Sequence, residues 1–412
     1  MKNVLINVDT LERFKFFRRM VISFNQLDYF VIFLTNKLSV YLLARKNKFK
    51  VFLIDKNTNI KNNETIVKKT DLRKNALEIM AGYLNFEEAT NIFILAYNLV
   101  NNIYNKVPVD IVLIWNGSKV IDLAINEFCK EHKIKTVFME IGNIPGKLFA
   151  DPIGVNAKSA LFENVAVLDH YTIVEQEYDK WKKTYLNIKL EKHIVPQTKI
   201  IKKINRGFII DYIGFNILNI PRDNNIGFIE KVIEKMHKKN KFVFYDNVFQ
   251  SNITKNGYVF FPMQVSDDSQ ILLNSGTGNV EAIKYAYEIA KKNKVKLLVK
   301  PHPAEKNMKH INDIFELKRK LGFYLVDGNT FEFIRDAQSV IVINSTTGLE
   351  AKIMDKDVTF LGRSFYSLLS RKYLQKYILG YLIDIDYFGE EPISIIQIEN
   401  LIKRAGLHWK KR

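Results

Sequence analysis

Residues 295–303 read Val295-Lys296-Leu297-Leu298-Val299-Lys300-Pro301-His302-Pro303, and residues 339–350 read Ser339-Val340-Ile341-Val342-Ile343-Asn344-Ser345-Thr346-Thr347-Gly348-Leu349-Glu350. Each is an apolar run of strand length that closes in a polar turn and leads into helix-like sequence. Repeated strand–turn–helix units build a parallel sheet with helices on its faces, and such sheets bind ligands at the carboxyl ends of their strands.

The same rhythm extends in both directions. Apolar runs stand at 4–8, 30–34, 51–54, 111–115 and 136–139, separated by amphipathic stretches such as 72–84. A polar and aromatic segment, 163–205, breaks the alternation, with helical character over 171–189. From Gly207 the pattern resumes: a helix over 225–238, then strands at 242–245, 259–262, 296–299, 324–326, 340–343 and 358–361, with helices over 280–293 and 305–321 between them. The expected fold is α/β, with two Rossmann-like domains facing a central cleft. They divide into 1–200 and 201–412, the second ending in C-terminal helices.

A chain of 412 residues is long enough for two domains with separate cores. Its apolar content of 47% and charged content of 26% are those of a soluble globular protein. The single cysteine, Cys129, excludes an internal disulfide framework and falls in a helix-like run, which favours a buried structural thiol. The chain enters a strand-like run at Val4 without a secretory signal, and the most apolar window, 29–44, is too short for a membrane span. A net charge of +18 asks for an anionic partner. Zinc spacings, RNP-like aromatic motifs and DNA-reading helices are missing from the sequence, so nucleic acid is not the expected partner. An anionic membrane surface is, helped by the tail Trp409-Lys410-Lys411-Arg412.

Several strand ends carry chemistry. Prolines on both sides fix the backbone around His302, whose imidazole can donate to a phosphate oxygen. Asn344, Ser345, Thr346, Thr347 and Gly348 bring hydroxyls and free N–H groups to a helix start, an anion site by construction. Glu350, in the first turn, can accept from ribose hydroxyls or serve as a cap residue. The loop Gln264-Val265-Ser266-Asp267-Asp268-Ser269-Gln270 offers amides and acids to a sugar, a base or a metal, and equally reads as a turn with an N-cap. In the first half, Trp115-Asn116-Gly117-Ser118 and Met139-Glu140-Ile141-Gly142 end two strands, and Asp151-Pro152-Ile153-Gly154-Val155-Asn156 follows. Glu140 and Asp151 form a pair of carboxylates of the kind glycosyl chemistry uses.

Taken together and in this order, these stretches resemble the bacterial capsule polysaccharide synthesis family, the retaining β-Kdo transferases, over roughly residues 110–365. The resemblance implies a GT-B-like glycosyltransferase with an N-terminal acceptor and catalytic domain and a C-terminal CMP-sugar-binding domain. It implies CMP-Kdo as donor and a lipid anchor or growing glycan as acceptor, at the inner face of the cytoplasmic membrane. Asp151 then matches the proposed nucleophile, which forms a Kdo-linked intermediate, and Glu140 an acid/base or orienting group. His302, Ser345 and Thr346 hold the phosphate, Gln264 and Glu350 meet cytidine or ribose, and Lys300 or Lys158 meets the Kdo carboxylate. The leaving CMP is stabilised by His302 and the helix start, so neither a cofactor nor a metal is expected. The rival readings are another CMP-sugar enzyme such as a sialyltransferase, against which the lone acid of Val326-Asp327-Gly328 counts, and a non-catalytic basic binder of membrane or nucleic acid.

Overall fold

A computed structural model describes residues 1–55, 66–67, 70–191, 206–223, 245–246 and 257–406. They form two compact units, each built on its own sheet.

The first unit carries β1 (Lys2–Asn7), β2 (Tyr29–Thr35), β3 (Lys50–Leu53), β4 (Ile111–Trp115), β5 (Lys135–Ile141) and β6 (Leu148–Asp151), in the order β3-β2-β1-β4-β5-β6. The first five are parallel, and β6 runs antiparallel to β5. The five expected apolar runs all become strands. Neighbours such as Val4, Leu5 and Ile6 are all buried, which is what a strand covered by helices on both faces demands. β6 lies outside the expected runs. It returns beside β5 through a turn where Gly142 is required, because a Cβ there would lie 2.4 Å from the Lys147 carbonyl oxygen.

The amphipathic stretch 72–84 is broken up. It makes two short turns, Leu72–Asn75 and Leu77–Met80, and the long helix follows at Phe86–Lys106. That helix starts at a capping box, in which Asn85 and Glu88 each accept from the other's backbone N–H at 2.9 Å. Caps of this kind contribute about 1 kcal/mol. Cys129 is buried in the helix Val120–Glu131, and burial pushes its thiol up to about 12, as fits a structural residue.

The second unit carries β7 (Tyr258–Pro262), β8 (Lys296–Lys300), β9 (Tyr324–Leu325), β10 (Ser339–Val342) and β11 (Asp357–Phe360), all parallel in the order β11-β10-β7-β8-β9. Side chains alternate between two cores. Val259, Phe261, Val299 and Ile341 join one, and Tyr258, Phe260, Leu298 and Val340 join the other. The helix expected over 225–238 and residues 242–244 of the expected strand lie outside the described residues, and Tyr245 is in no strand.

The units do not divide at 200/201. The first comprises the described parts of Met1–Val167, Lys202–Phe228 and Gly380–Arg412, and the second those of Leu168–Ile201 and Ile229–Leu379. Burial and ion pairing explain the departures at the C-terminus and at the helix Glu175–Glu191. Ile398, Leu401 and Ala405 of the helix Ile395–Gly406 enter the first unit's core, so these C-terminal residues leave the sheet they follow in sequence. The helix Glu175–Glu191 joins the second unit through Lys182 on Asp355, Lys189 on Glu350 and the Tyr185 ring against Phe331.

Candidate active site

In the second sheet the strand order reverses between β7 and β10, and a parallel sheet opens its crevice at that point. The turns after β7, β8 and β10 leave from this edge. β8 and β10 flank β7, so the strands that the His302 and Ser345 turns follow lie two strand spacings apart, about 10 Å.

The His302 ring is held by its own turn. Its Nδ1 accepts from the Ala304 N–H at 3.1 Å, which places the ring proton on Nε2 and leaves that N–H for a ligand. Burial lowers its pKa, neighbouring Lys300 lowers it further, and Glu305 opposes them, so the ring is neutral near pH 7. Lys300 is half-buried at the end of β8, and burial lowers its pKa as well. Ser345 caps the helix Thr346–Ile353: its Oγ accepts from the Thr347 N–H at 3.1 Å and donates to Thr347 Oγ1 at 3.2 Å. Thr346 is the half-buried first helical residue, at the positive end of the helix dipole.

Five expected ligand residues take other parts. Gln264 Nε2 donates to Asn344 Oδ1 at 3.0 Å and its Oε1 accepts from the Asn344 N–H at 3.1 Å, while Asn344 Nδ2 donates to the Gln270 carbonyl at 2.8 Å. This amide clasp ties the end of β7 to that of β10, which makes Gln264 and Asn344 a brace, where a cytidine or ribose contact was expected of Gln264 and a part in the anion site of Asn344. Asp268 is an N-cap that accepts from the Gln270 N–H at 2.7 Å. Gly348 is buried in the helix, where a Cβ would lie 2.5 Å from the Phe360 ring, so it serves helix–sheet packing. Glu350 accepts from Lys189 Nζ at 3.5 Å, inside the second unit, where a ribose contact was expected. Burial raises the Glu350 pKa and Lys189 pulls it back down.

Two braces were not anticipated. Asn279 Nδ2 donates to the Gln264 carbonyl at 2.8 Å and its Oδ1 accepts from the Gln264 N–H at 3.1 Å. Glu305 accepts from the Ser266 N–H at 2.8 Å and from Ser266 Oγ at 3.1 Å, which binds the loop after β7 to the turn after β8. A polar residue just after a Gly-rich turn or a His-Pro turn is the only sequence sign of either. A cavity of about 540 Å³ lies beside this edge, lined by Ser266, Lys284 and His310 but also by Glu281, Asp313 and Glu316. Three carboxylates make it unsuited to an anionic nucleotide.

In the first unit Glu140 and Asp151 lie on the antiparallel β5–β6 pair. Glu140 is opposite Phe149 and Asp151 opposite Phe138, which makes the two residues diagonal neighbours on one face of the pair, with Cα atoms about 7–8 Å apart. Their surroundings differ sharply. Asp151 is 0% exposed. Its Oδ1 accepts from the N–H groups of Ile153 (2.8 Å), Gly154 (3.1 Å) and Ala160 (3.1 Å), and its Oδ2 from Ala160 N–H (3.0 Å) and the Tyr381 hydroxyl (2.6 Å). Burial raises its pKa, and the donors act against that rise. With both oxygens enclosed and engaged, Asp151 does not present the free lone pair that the expected nucleophile needs. Here it is the anchor of the 152–160 loop.

Glu140 keeps exposed surface at the end of β5. Asn156 Nδ2 donates to its Oε2 at 2.8 Å and Asn116 Nδ2 to its Oε1 at 3.4 Å. Both asparagines have left-handed backbones, φ +53° and +67°, a conformation Asn tolerates better than most residues. Gly117 follows with φ +83°, and a Cβ on it would lie 2.6 Å from the Phe138 ring. Lys158 Nζ donates to Asn75 Oδ1 at 3.1 Å.

The ends of β1, β2 and β4 meet in a charged network that the sequence did not announce. Asp9 pairs with Arg13 and Lys119, and Asp223 pairs with Lys37 and Lys119. Asp9 Oδ1 is buried without a hydrogen-bond partner. Close by, burial pushes the Glu78 and Asp122 carboxyls each up to about 7.

Comparison with known proteins adds a family to this geometry. Protein FixF of Sinorhizobium fredii is 27% identical over 264 residues, which is 63% of this chain and 50% of that protein. The capsule polysaccharide export protein KpsS of Escherichia coli is 26% identical over 126 residues, 28% of this chain and 32% of that protein. The matches thus span at most half the length of these curated relatives. Among solved structures, the β-Kdo 2,7 transferase of Thermosulfurimonas dismutans KpsC superposes with a TM-score of 0.45 at 14% identity, covering 98% of this chain and 100% of that one. A family model for capsule polysaccharide biosynthesis proteins matches residues 110–370, well over half of the chain and both candidate edges, and the chain belongs to that family.

Proposed function

We propose that this chain is a retaining glycosyltransferase that moves β-Kdo from CMP-Kdo onto a lipid anchor or a growing capsule polysaccharide at the inner face of the cytoplasmic membrane. The observation that carries the donor half is the state of His302: a neutral ring with Nδ1 occupied by a backbone N–H and Nε2–H left for an anion, two strands from a Ser/Thr helix start. A CMP phosphate held between them leaves as a monoester whose developing charge both groups stabilise. The resemblance to Kdo transferases supplies the sugar.

In this reading Glu140 is the carboxylate that meets the sugar, because it alone of the pair retains exposed surface. Its oxygen attacks the anomeric carbon as the bond to the CMP oxygen breaks. The acceptor hydroxyl then displaces Glu140 and loses its proton to solvent, and the two inversions give net retention. Asp151 is a positioning residue, holding the 152–160 loop from which Asn156 orients Glu140. Lys300, half-buried beside His302, is placed for the donor's anionic groups. The transfer runs without metal.

The test is intact-protein mass measurement after incubation with CMP-Kdo, with Glu140→Gln and Asp151→Asn in parallel. A Kdo-sized adduct on wild type that disappears in Glu140→Gln supports the assignment. An adduct lost only in Asp151→Asn, mapped by proteolysis to Asp151, returns the nucleophile to that residue. CMP that is never released with any acceptor removes the donor, and chelator-sensitive release removes metal independence.

A further inference from the structure

The helix Arg206–Ile217 is apolar on nearly all sides, yet part of it faces solvent. Ile209, Ile213 and Ile217 recur every four residues on one face and are 51%, 42% and 69% exposed. Leu218, just past the helix, and Leu42, on the helix Leu38–Lys46 packed alongside, are exposed too. The contact between the two helices is close. Asp211 accepts from the Ser39 N–H at 2.8 Å and from Ser39 Oγ at 2.9 Å, and a Cβ on Gly214 would lie 2.9 Å from Leu38 Cβ. The stripe therefore has a rigid backing. A helix apolar all round is ordinarily covered on every side, so the open face calls for an occupant.

Charge identifies it. Arg45, Lys46 and Lys48, at the end of the helix carrying Leu42, are exposed. The one acid within the two helices, Asp211, is engaged by Ser39. Apolar side chains on a rigid base, with exposed cations at the end of the neighbouring helix, match an anionic bilayer surface, where isoleucines enter the acyl boundary and cations meet headgroups. A second copy of the same face would set basic rim against basic rim, which favours the bilayer over self-association.

We infer that the exposed face of helix Arg206–Ile217, with Leu42 and the Arg45–Lys48 rim, is the surface by which this protein docks on anionic lipid. The inference rests on the membrane-facing part of the proposed function and on none of its chemistry. It is tested by co-sedimentation of the full chain with phosphatidylcholine vesicles, with and without phosphatidylglycerol, at low and high salt. The wild type is expected to bind only the phosphatidylglycerol vesicles and to lose binding in salt. Ile213→Ser/Ile217→Ser and Arg45→Glu/Lys46→Glu are each expected to weaken partitioning by about tenfold or more. Circular dichroism verifies that the variants are folded, and CMP binding in solution, measured on the same samples, is expected to be unchanged. A folded wild type that ignores phosphatidylglycerol vesicles, or folded stripe variants that bind them as well as wild type, overturns the inference. So does a wild-type dimer in light scattering that becomes monomeric in Ile213→Ser/Ile217→Ser, which would assign the stripe to a second copy. Loss of CMP binding in every sample, wild type included, would instead count against the donor assignment and leave the docking surface standing.

Discussion

At the carboxyl edge of the first sheet, charge is dense and already matched: Asp9 has Arg13 and Lys119, Asp223 has Lys37 and Lys119, and Asp151 is ringed by N–H groups and a tyrosine. At the carboxyl edge of the second, the central residues are amides that satisfy each other, Gln264 with Asn344 and Asn279, and the groups beside them are a neutral histidine and a helix start. The first edge carries its own negative charge in a fixed position. The second lacks a matched charge at its centre and is prepared to receive one. Two sheets of similar plan thus differ in whether their polar groups are spent on one another or held for a ligand.

That contrast can be broken in order of expected effect. Glu140→Gln should lower transfer about a thousandfold with little change in thermal stability, measured by CMP release. Asp151→Asn should instead cost stability, about 2–4 kcal/mol in denaturant unfolding, because an amide N–H₂ would face the donors the carboxylate now satisfies. Equal stability in the two variants would erase the distinction between reacting and anchoring carboxylates. On the second edge, His302→Ala should weaken CMP binding roughly tenfold to a hundredfold by calorimetry, the value of a hydrogen bond to a charged group. Gly348→Ala should destabilise by about 1–3 kcal/mol, since the new methyl meets Phe360 and Val342. A loss of CMP affinity without loss of stability there would return Gly348 to the phosphate site.

The smallest effect concerns pH. The Asp122 carboxyl is raised to about 7 in the fold, so the folded protein holds a proton that the unfolded chain releases near pH 4. Its contribution to stability is present below that unfolded value and is lost as pH climbs to about 7. Asp122→Asn removes this slope, so thermal melting of the variant should rise relative to wild type at pH 8 and gain less at pH 5. A pH-independent difference would mean that Asp122 is ionised in the fold.

Ten of the eleven described strands were legible because each falls on a largely apolar run, the mark of burial on both faces. β6 was not, since Leu148-Phe149-Ala150-Asp151 is too short to stand out and is held by pairing with β5. The turn positions of the candidate site were legible for the same reason: they follow strands. Their roles were only partly so. Gln264 and Asn344 are eighty residues apart, and nothing local reveals that each consumes the other's hydrogen bonds. The enclosure of Asp151 depends on Tyr381, which is farther still along the chain. Glu350 reads like a ligand contact until Lys189 is seen beside it. Sequence shows where polar groups leave a strand, while long-range partners decide which of them remain available.

The passage of Gly380–Arg412 into the first unit sets an order of assembly during synthesis. Ile383, Ile398 and Leu401 are part of the core that includes Val4, Ile6 and Trp115, so the unit begun first cannot close until these residues have left the ribosome. The second sheet, whose strands all precede Gly380, can fold while the first still waits. Asp151 then stays without its Tyr381 partner until translation has passed residue 381, and a nascent chain stalled before that point carries an unfinished carboxylate edge.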